Sequence, residues 1–414
     1  MSVNVKKYLN QNLYLFNLPN SRYVYLDIIA LAGIIFEGKF KMGIAHLLEH
    51  YIVNIVNSQQ NKIKIEGAVN KEHIFLWAKI NKRLFFQEPE AIFKLLDLIF
   101  HLPLNSKIFE IEKKRVIEEV RILKDDLDYQ VNYFCLRERF KNKCAYSKSP
   151  LENEKAIKNI NFNDLKKFYN FYFRNQETKT VIGLNQAQNK NFVPRILSYM
   201  QNRALNKSKI KSPKCEAYSN LKIKVGENRF LTKDYLIFSF PGLSSSSSYK
   251  KRIALNIFCK ILLDKLRNKS YDRYFNHEIV NWKKCGIVLF KFCISSRSED
   301  FLMKIIKDFL EEMVNILNKI SYSEIKKIIR EIKLYEKIQK NADFKYEHFI
   351  DSLINNKNFL IRDIIYDQIM ISDILSVAKR IFDINYLNLF ILKKKISKID
   401  KKRIQKIIEL VQDK

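Results

Sequence analysis

Gly43-Ile44-Ala45-His46-Leu47-Leu48-Glu49-His50-Tyr51-Ile52-Val53 is the stretch on which the reading of this chain turns. On a helix each residue advances by ~100°, so His46 and His50 lie ~40° apart and Glu49 lies ~60° from His46 on the other side. All three share one face. Two imidazoles one turn apart match two positions of a tetrahedral Zn²⁺, and the carboxylate beside them reaches a water at the metal rather than the metal itself. The order His-x-x-Glu-His inverts the commoner His-Glu-x-x-His spacing. Ile44, Ala45, Leu47, Leu48, Ile52 and Val53 make the helix apolar nearly all round. A Glu and two His in that setting carry a desolvation cost unless a metal or a partner satisfies them. The bland alternative is a chance match on a solvated helix face.

Zinc that keeps one position open for water needs a third protein ligand. The helix expected from Ser106 places two glutamates on an otherwise apolar face: with Glu119 at 0°, Glu112 falls at ~20°, Leu123 at ~40°, Val116 at ~60° and Ile108 at ~340°, while Glu118 falls ~100° away. Glu119 is therefore the expected third ligand, and Glu112 a carboxylate that orients a histidine from behind. The alternative is that both glutamates pair with lysines or arginines. His73, His101, His277 and His348 have no partner at ligand spacing.

Working outward, Leu13 to Phe36 alternates apolar runs with turn signals at Pro19-Asn20-Ser21 and Gly33, which predicts a hairpin leading into the histidine helix. Residues 63–80 read as extended, 88–101 and 106–127 as helices parted by Pro103, and Thr178 to Gly183 as a returning strand. Residues 202–219 are rich in Lys, Asn and Ser and lack apolar period. Beyond them the order recurs: strand 235–240, helix 249–268, strand 285–295, long helices 300–318 and 322–340, and strand 386–393. The expectation is two homologous α+β domains, each a mostly antiparallel sheet covered by helices: 1–205 with the metal site, a linker at 206–225, and 226–414.

The length of 414 residues fits two domains, and 47% hydrophobic with 13% aromatic residues excludes a disordered chain. The net charge of +31 is spread from Lys6 to Lys414 among Ile, Asn, Phe and Tyr rather than gathered in blocks, so no dedicated nucleic-acid site is expected. Cys135, Cys144, Cys215, Cys259, Cys285 and Cys293 form no Cys-x-x-Cys pair. They read as reduced thiols in a reducing compartment, and with no signal peptide and no apolar run of about 18 residues the expected location is the cytoplasm.

With His46, Glu49, His50 and Glu119 in place, the chain resembles the pitrilysin/insulinase family, which includes the mitochondrial processing peptidases. Leu18-Pro19-Asn20, Ala32-Gly33 with Glu37, and Gly43-Ile44-Ala45-His46 are similar to the family's first strand, its Ala-Gly turn with a Glu, and the approach to its metal helix. Residues 112–120, EKKRVIEEV, resemble the segment whose last Glu before the aliphatic residue is a zinc ligand. Leu266-Arg267-Asn268-Lys269 with Tyr274 resembles the segment whose Arg and Tyr bind substrate backbone and stabilise the transition state, and 371–390 resembles the closing helix and strand.

The resemblance implies one Zn²⁺ per chain, with Glu49 as general base, Arg267 and Tyr274 as substrate-binding and catalytic groups, and unfolded peptides bound as an added strand. It implies half of a clamshell, completed by pairing as a homodimer or as a heterodimer with a related chain. Three departures stand out. Glu66-Gly67-Ala68 replaces the family's Asn-Ala or Asn-Gly turn, so a substrate contact there falls to Glu66. Tyr271 replaces a Gly, and the 119 − 50 = 69 positions between ligands are few for the family. A weakly active or non-catalytic partner subunit is the second reading, and a polyanion-binding protein the third.

Overall fold

A computed structural model describes residues 5–8, 12–59, 62–123, 125–140, 144–148, 154–174, 178–187, 189–201, 221–227, 231, 233–269, 275–294, 299–338, 342–354, 366–393 and 401–412. Among the described residues eleven strands run in chain order: β1 (Val5–Tyr8), β2 (Leu13–Asn17), β3 (Tyr23–Ala30), β4 (Glu66–Val69), β5 (Ile74–Asn81), β6 (Lys179–Leu184), β7 (Lys222–Glu227), β8 (Asp234–Gly242), β9 (Phe275–Asn281), β10 (Gly286–Ile294) and β11 (Asn388–Lys393). They form two sheets, of order β1-β2-β6-β3-β5-β4 and β7-β11-β8-β10-β9. The fold is α+β, with the sheets mixed rather than purely antiparallel. Helices and sheets recur as expected from the sequence.

Leaving β1 aside, the two sheets share one topology. In each, the first strand pairs in parallel with the last (β2 with β6, β7 with β11), the last pairs antiparallel with the second, and the third strand forms the far edge. This is the duplication that the recurring element order predicted.

One expectation fails. The strands β2 and β3 do not form a hairpin, because β6 inserts between them: Leu15 and Leu26 both face Ile182 in register. The central strand of a covered sheet must be apolar on both faces, and in β6 every residue from Thr180 to Leu184 is buried. The turn at Pro19-Asn20-Ser21 therefore connects strands that are one place apart.

The chain divides into two compact units, Met1–Asp126 with Cys144–Lys214, and Leu127–Lys143 with Cys215–Lys414. Two features depart from the contiguous division expected from sequence. Strand β7 begins inside the stretch read as linker, and the helix Leu127–Phe140 belongs to the second unit. Arg139 explains the second. It is only 1% exposed, and it donates to the carbonyls of Ser239 at 2.8 Å and Tyr386 at 3.0 Å. A buried guanidinium demands such acceptors, and they lie on and beside the second sheet. Phe134 adds a ring contact to Phe390 at 5.7 Å.

Cys144 is disulfide-bonded, which overturns the reading of all six cysteines as thiols and the argument for a reducing compartment built on it. Cys215 lies outside the described residues, and Cys135, Cys259, Cys285 and Cys293 are thiols. No described helix is long and apolar enough to cross a membrane.

Candidate metal centre

Ile44–Gln59 is a helix with Ile44, Ala45, Leu47, Leu48, Tyr51, Ile52, Ile55 and Val56 buried, packed on β4, β5 and the helix Ser106–Leu123. Its apolar circumference buries it on several sides and fixes the one face that carries His46, Glu49 and His50. Tyr51 locks its rotation by donating through its hydroxyl to the carbonyl of Pro103 at 3.2 Å.

Gly43 precedes the helix at φ +90°, and a Cβ there would meet Ile157 Cγ1 at 2.5 Å. Only glycine fits that backbone and that space. Glycine brings no capping side chain, and the deficit is met from six residues upstream: Glu37, 1% exposed, accepts from Gly43 N at 3.0 Å and Ala45 N at 2.9 Å.

The ligand candidates converge. His46, His50 and Glu119 each offer one donor atom, and the three atoms lie within 4.8 Å of one another. Glu119 Oε2 lies 2.9 Å from His50 Nε2 and 3.5 Å from His46 Nε2. Ligands at about 2.0–2.1 Å around a tetrahedral zinc stand roughly 3.3 Å apart, so these two separations suit that ion, which three protein ligands would hold with a fourth position for water. Two imidazoles and a carboxylate also have the donor chemistry zinc prefers. The hydrogen bonds from His46 and His50 hold the Glu119 carboxyl far below the usual carboxylate range. Burial works against a charged His50, yet Glu119, Glu49 and Glu112 together raise its pKa.

Glu112 lies where helical geometry placed it. It is 2% exposed, with Oε2 3.5 Å from His50 Nδ1 and Oε1 receiving Asn54 Nδ2 at 2.6 Å and Arg115 at 2.7 Å. Pairing with an arginine, the alternative reading of the sequence, thus coexists with the histidine contact, because each oxygen serves one of them. His46 differs: its buried Nδ1 has no hydrogen-bond partner among the described residues.

Glu49 is buried beside this group, its Oε2 3.8 Å from His50 Nε2. Burial raises its pKa against the opposing pull of His50 and His46, which moves a carboxylate toward the range of a general base at neutral pH. Gly67 on β4 flanks it so closely that a Cβ would lie 2.1 Å from Glu49 Oε1. Glu66 accepts from Trp77 Nε1 at 3.1 Å. A cleft of about 760 Å³ opens here, lined among others by Glu49, His50, Asn54, Ile65, Trp77 and Arg115. Sequence reasoning missed Asn54, Arg115 and Trp77; Asn54, one turn beyond His50, was the readable one.

Two other expected residues lie in the second unit. Arg267 ends the helix Tyr249–Arg267 with an exposed guanidinium 3.9 Å from Asp264. Tyr274 and Tyr271 lie outside the described residues. His277 on β9 is driven down to about 4 by burial, with Lys260 and Arg267 adding to the effect.

No family model and no curated protein matches the sequence. Solved structures do match. A protease from Helicobacter pylori superposes with a TM-score of 0.76 at 15% identity, over 95% of this chain and 99% of that one. Pitrilysin gives 0.78 at 13% identity, over all of this chain and 48% of its own. The chain has the M16 peptidase fold. The M16 inactive domain from Pseudomonas fluorescens shares it too, at 0.78 and 11% identity over 96% of this chain and 100% of that one. The fold thus carries peptidases and an inactive domain alike. In this chain His46, Glu49 and His50 stand on the helix Ile44–Gln59 and Glu119 on the helix Ser106–Leu123.

Proposed function

We propose that this chain is a zinc-dependent endopeptidase that cleaves unfolded peptides or peptide precursors. The observation that carries the reading is the burial of Glu49 beside three converging donors, His46, His50 and Glu119. Zinc held there supplies Lewis-acid polarisation of a carbonyl and eases deprotonation of water. Glu49 takes the proton from the attacking water and delivers it to the leaving amine. Glu112 holds His50 in its tautomer and orientation through Nδ1.

The strand β4 is the outer edge of its sheet and passes Glu49 at Gly67. An extended peptide adding to that edge brings its carbonyls past the catalytic carboxylate, and this favours unfolded substrates by conformation rather than by sequence. Glu66 and the Trp77 it binds border the path. Residues 226–414 add substrate contacts through Arg267 and Tyr274, and a second chain, identical or related, completes the chamber.

A non-catalytic partner subunit is the second reading, favoured by Glu66 and Tyr271 at positions where the family has Asn and Gly. Zinc content and peptide hydrolysis of the purified chain, alone and with a candidate partner, separate the two. Hydrolysis by the chain alone that vanishes in Glu49→Gln supports the peptidase. Hydrolysis only with a partner, and unaffected by Glu49→Gln, supports the subunit.

A further inference from the structure

Glu37 is a fully buried carboxylate that the mechanism does not use. It sits on a short helix, Ile34–Lys39, pinned from two sides. Gly33, Ile34 and Ile35 donate their backbone N–H groups to the carbonyls of Glu72, Asn70 and Lys71, at 3.0, 3.2 and 2.9 Å. Tyr172 donates its hydroxyl to the Phe36 carbonyl at 2.9 Å. Glu37 is thus held on a rigid shelf, and from it each carboxylate oxygen takes one N–H at the start of the histidine helix.

That shelf touches both walls of the metal centre. Asn70 to Glu72 form the turn between β4 and β5, so the backbone that fixes the shelf also fixes the end of the strand carrying Gly67. Ala45, which Glu37 grips, directly precedes His46. A displacement of this grip moves His46 against Glu119 across a separation of 3.5 Å.

We propose that Glu37 is a positioning residue for the metal centre, setting the place of His46 by anchoring the first turn of its helix to the shelf that also holds β4. This inference rests on the metal-centre reading. Its physical content is that a carboxylate is the one side chain of this length able to accept from two N–H groups with two equivalent oxygens. An amide presents an oxygen to one and an N–H to the other, leaving a buried donor opposed by a donor.

The test compares wild type, Glu37→Gln and Glu37→Asp, which keeps the charge and shortens the reach. Circular dichroism reports folding, competition with a fluorescent chelator gives the Zn²⁺ Kd, and peptide hydrolysis gives kcat and KM separately. The expected result is a folded E37Q chain whose zinc Kd is weaker by about tenfold to a hundredfold, as for residues that orient metal ligands, and whose kcat falls while KM stays within twofold. If E37Q does not fold, E37D is read by the same measurements. A folded variant with lowered thermal stability but zinc Kd and kcat within twofold of wild type overturns the inference, since a purely structural cap behaves in that way. A wild-type chain that takes up no zinc overturns the metal-centre reading itself, and is told apart by the wild-type titration alone.

Discussion

Gly67 and Glu49 are in direct contact across the site, so close that the smallest side chain at position 67 would overlap the carboxylate, its Cβ 2.1 Å from Oε1. The edge strand and the proposed general base are therefore shaped to each other. Gly67→Ala must displace the Glu49 carboxylate, and misplacing a reacting group by about 1 Å costs on the order of a hundredfold in rate. We expect G67A to lose about that much kcat while retaining stoichiometric zinc, because the three atoms nearest a Cβ at position 67 all belong to Glu49 and not to a ligand in the set. Steady-state hydrolysis with metal analysis checks this, and loss of zinc along with activity would contradict it.

Glu112 divides its two oxygens between His50 on one side and Asn54 with Arg115 on the other. Glu112→Gln keeps the volume and removes the charge that orients His50. The expected outcome is zinc affinity weakened by about tenfold to a hundredfold with the fold intact. Chelator competition measures it.

Much of the site was legible because it is written in helical angles. His46, Glu49 and His50 lie on one helix, and Glu112 and Glu119 differ by seven positions on another, so ~100° per residue was enough to put each set on one face, and the two faces meet in the structure. What could not be read was whatever depends on distant partners. Pro19-Asn20-Ser21 is a sound local turn signal, yet β6, more than 150 residues later, takes the place beside β2. Arg139 sits in a helix that reads as part of the first half, and its acceptors at Ser239 and Tyr386, with Phe134 on Phe390, tie that helix to the second unit. Cys144 reads as a thiol from spacing alone. Glu37 carried a faint signal, an acid among apolar neighbours ahead of a glycine that cannot cap.

Glu37 also makes a pH prediction. Burial pushes its carboxyl from 4.5 up to about 7 in the folded chain. The folded state then binds its proton more tightly than the unfolded state, so its contribution to stability is full below about 4.5 and is lost as pH rises through about 7. The stability difference between wild type and E37Q should fall across that window, by roughly 3 kcal/mol at most. Denaturant midpoints of both proteins between those pH values check it; parallel curves would contradict it.

Metal removal should destabilise the first unit. An ion that binds the folded chain alone adds RT ln(1 + [L]/Kd), about 2.7 kcal/mol at a hundredfold excess over Kd. A chelator should therefore lower the first thermal transition of wild type and leave that of His50→Ala where it is. Calorimetry with and without chelator gives the answer.

The central claim is tested most directly by one paired measurement on wild type and Glu49→Gln: zinc bound per chain, and cleavage of an unfolded peptide by the same preparation. The account predicts one zinc in both proteins, cleavage by wild type, and a rate at least a hundredfold lower for E49Q, the scale of a lost general base. Undiminished cleavage by a zinc-loaded E49Q chain would contradict it.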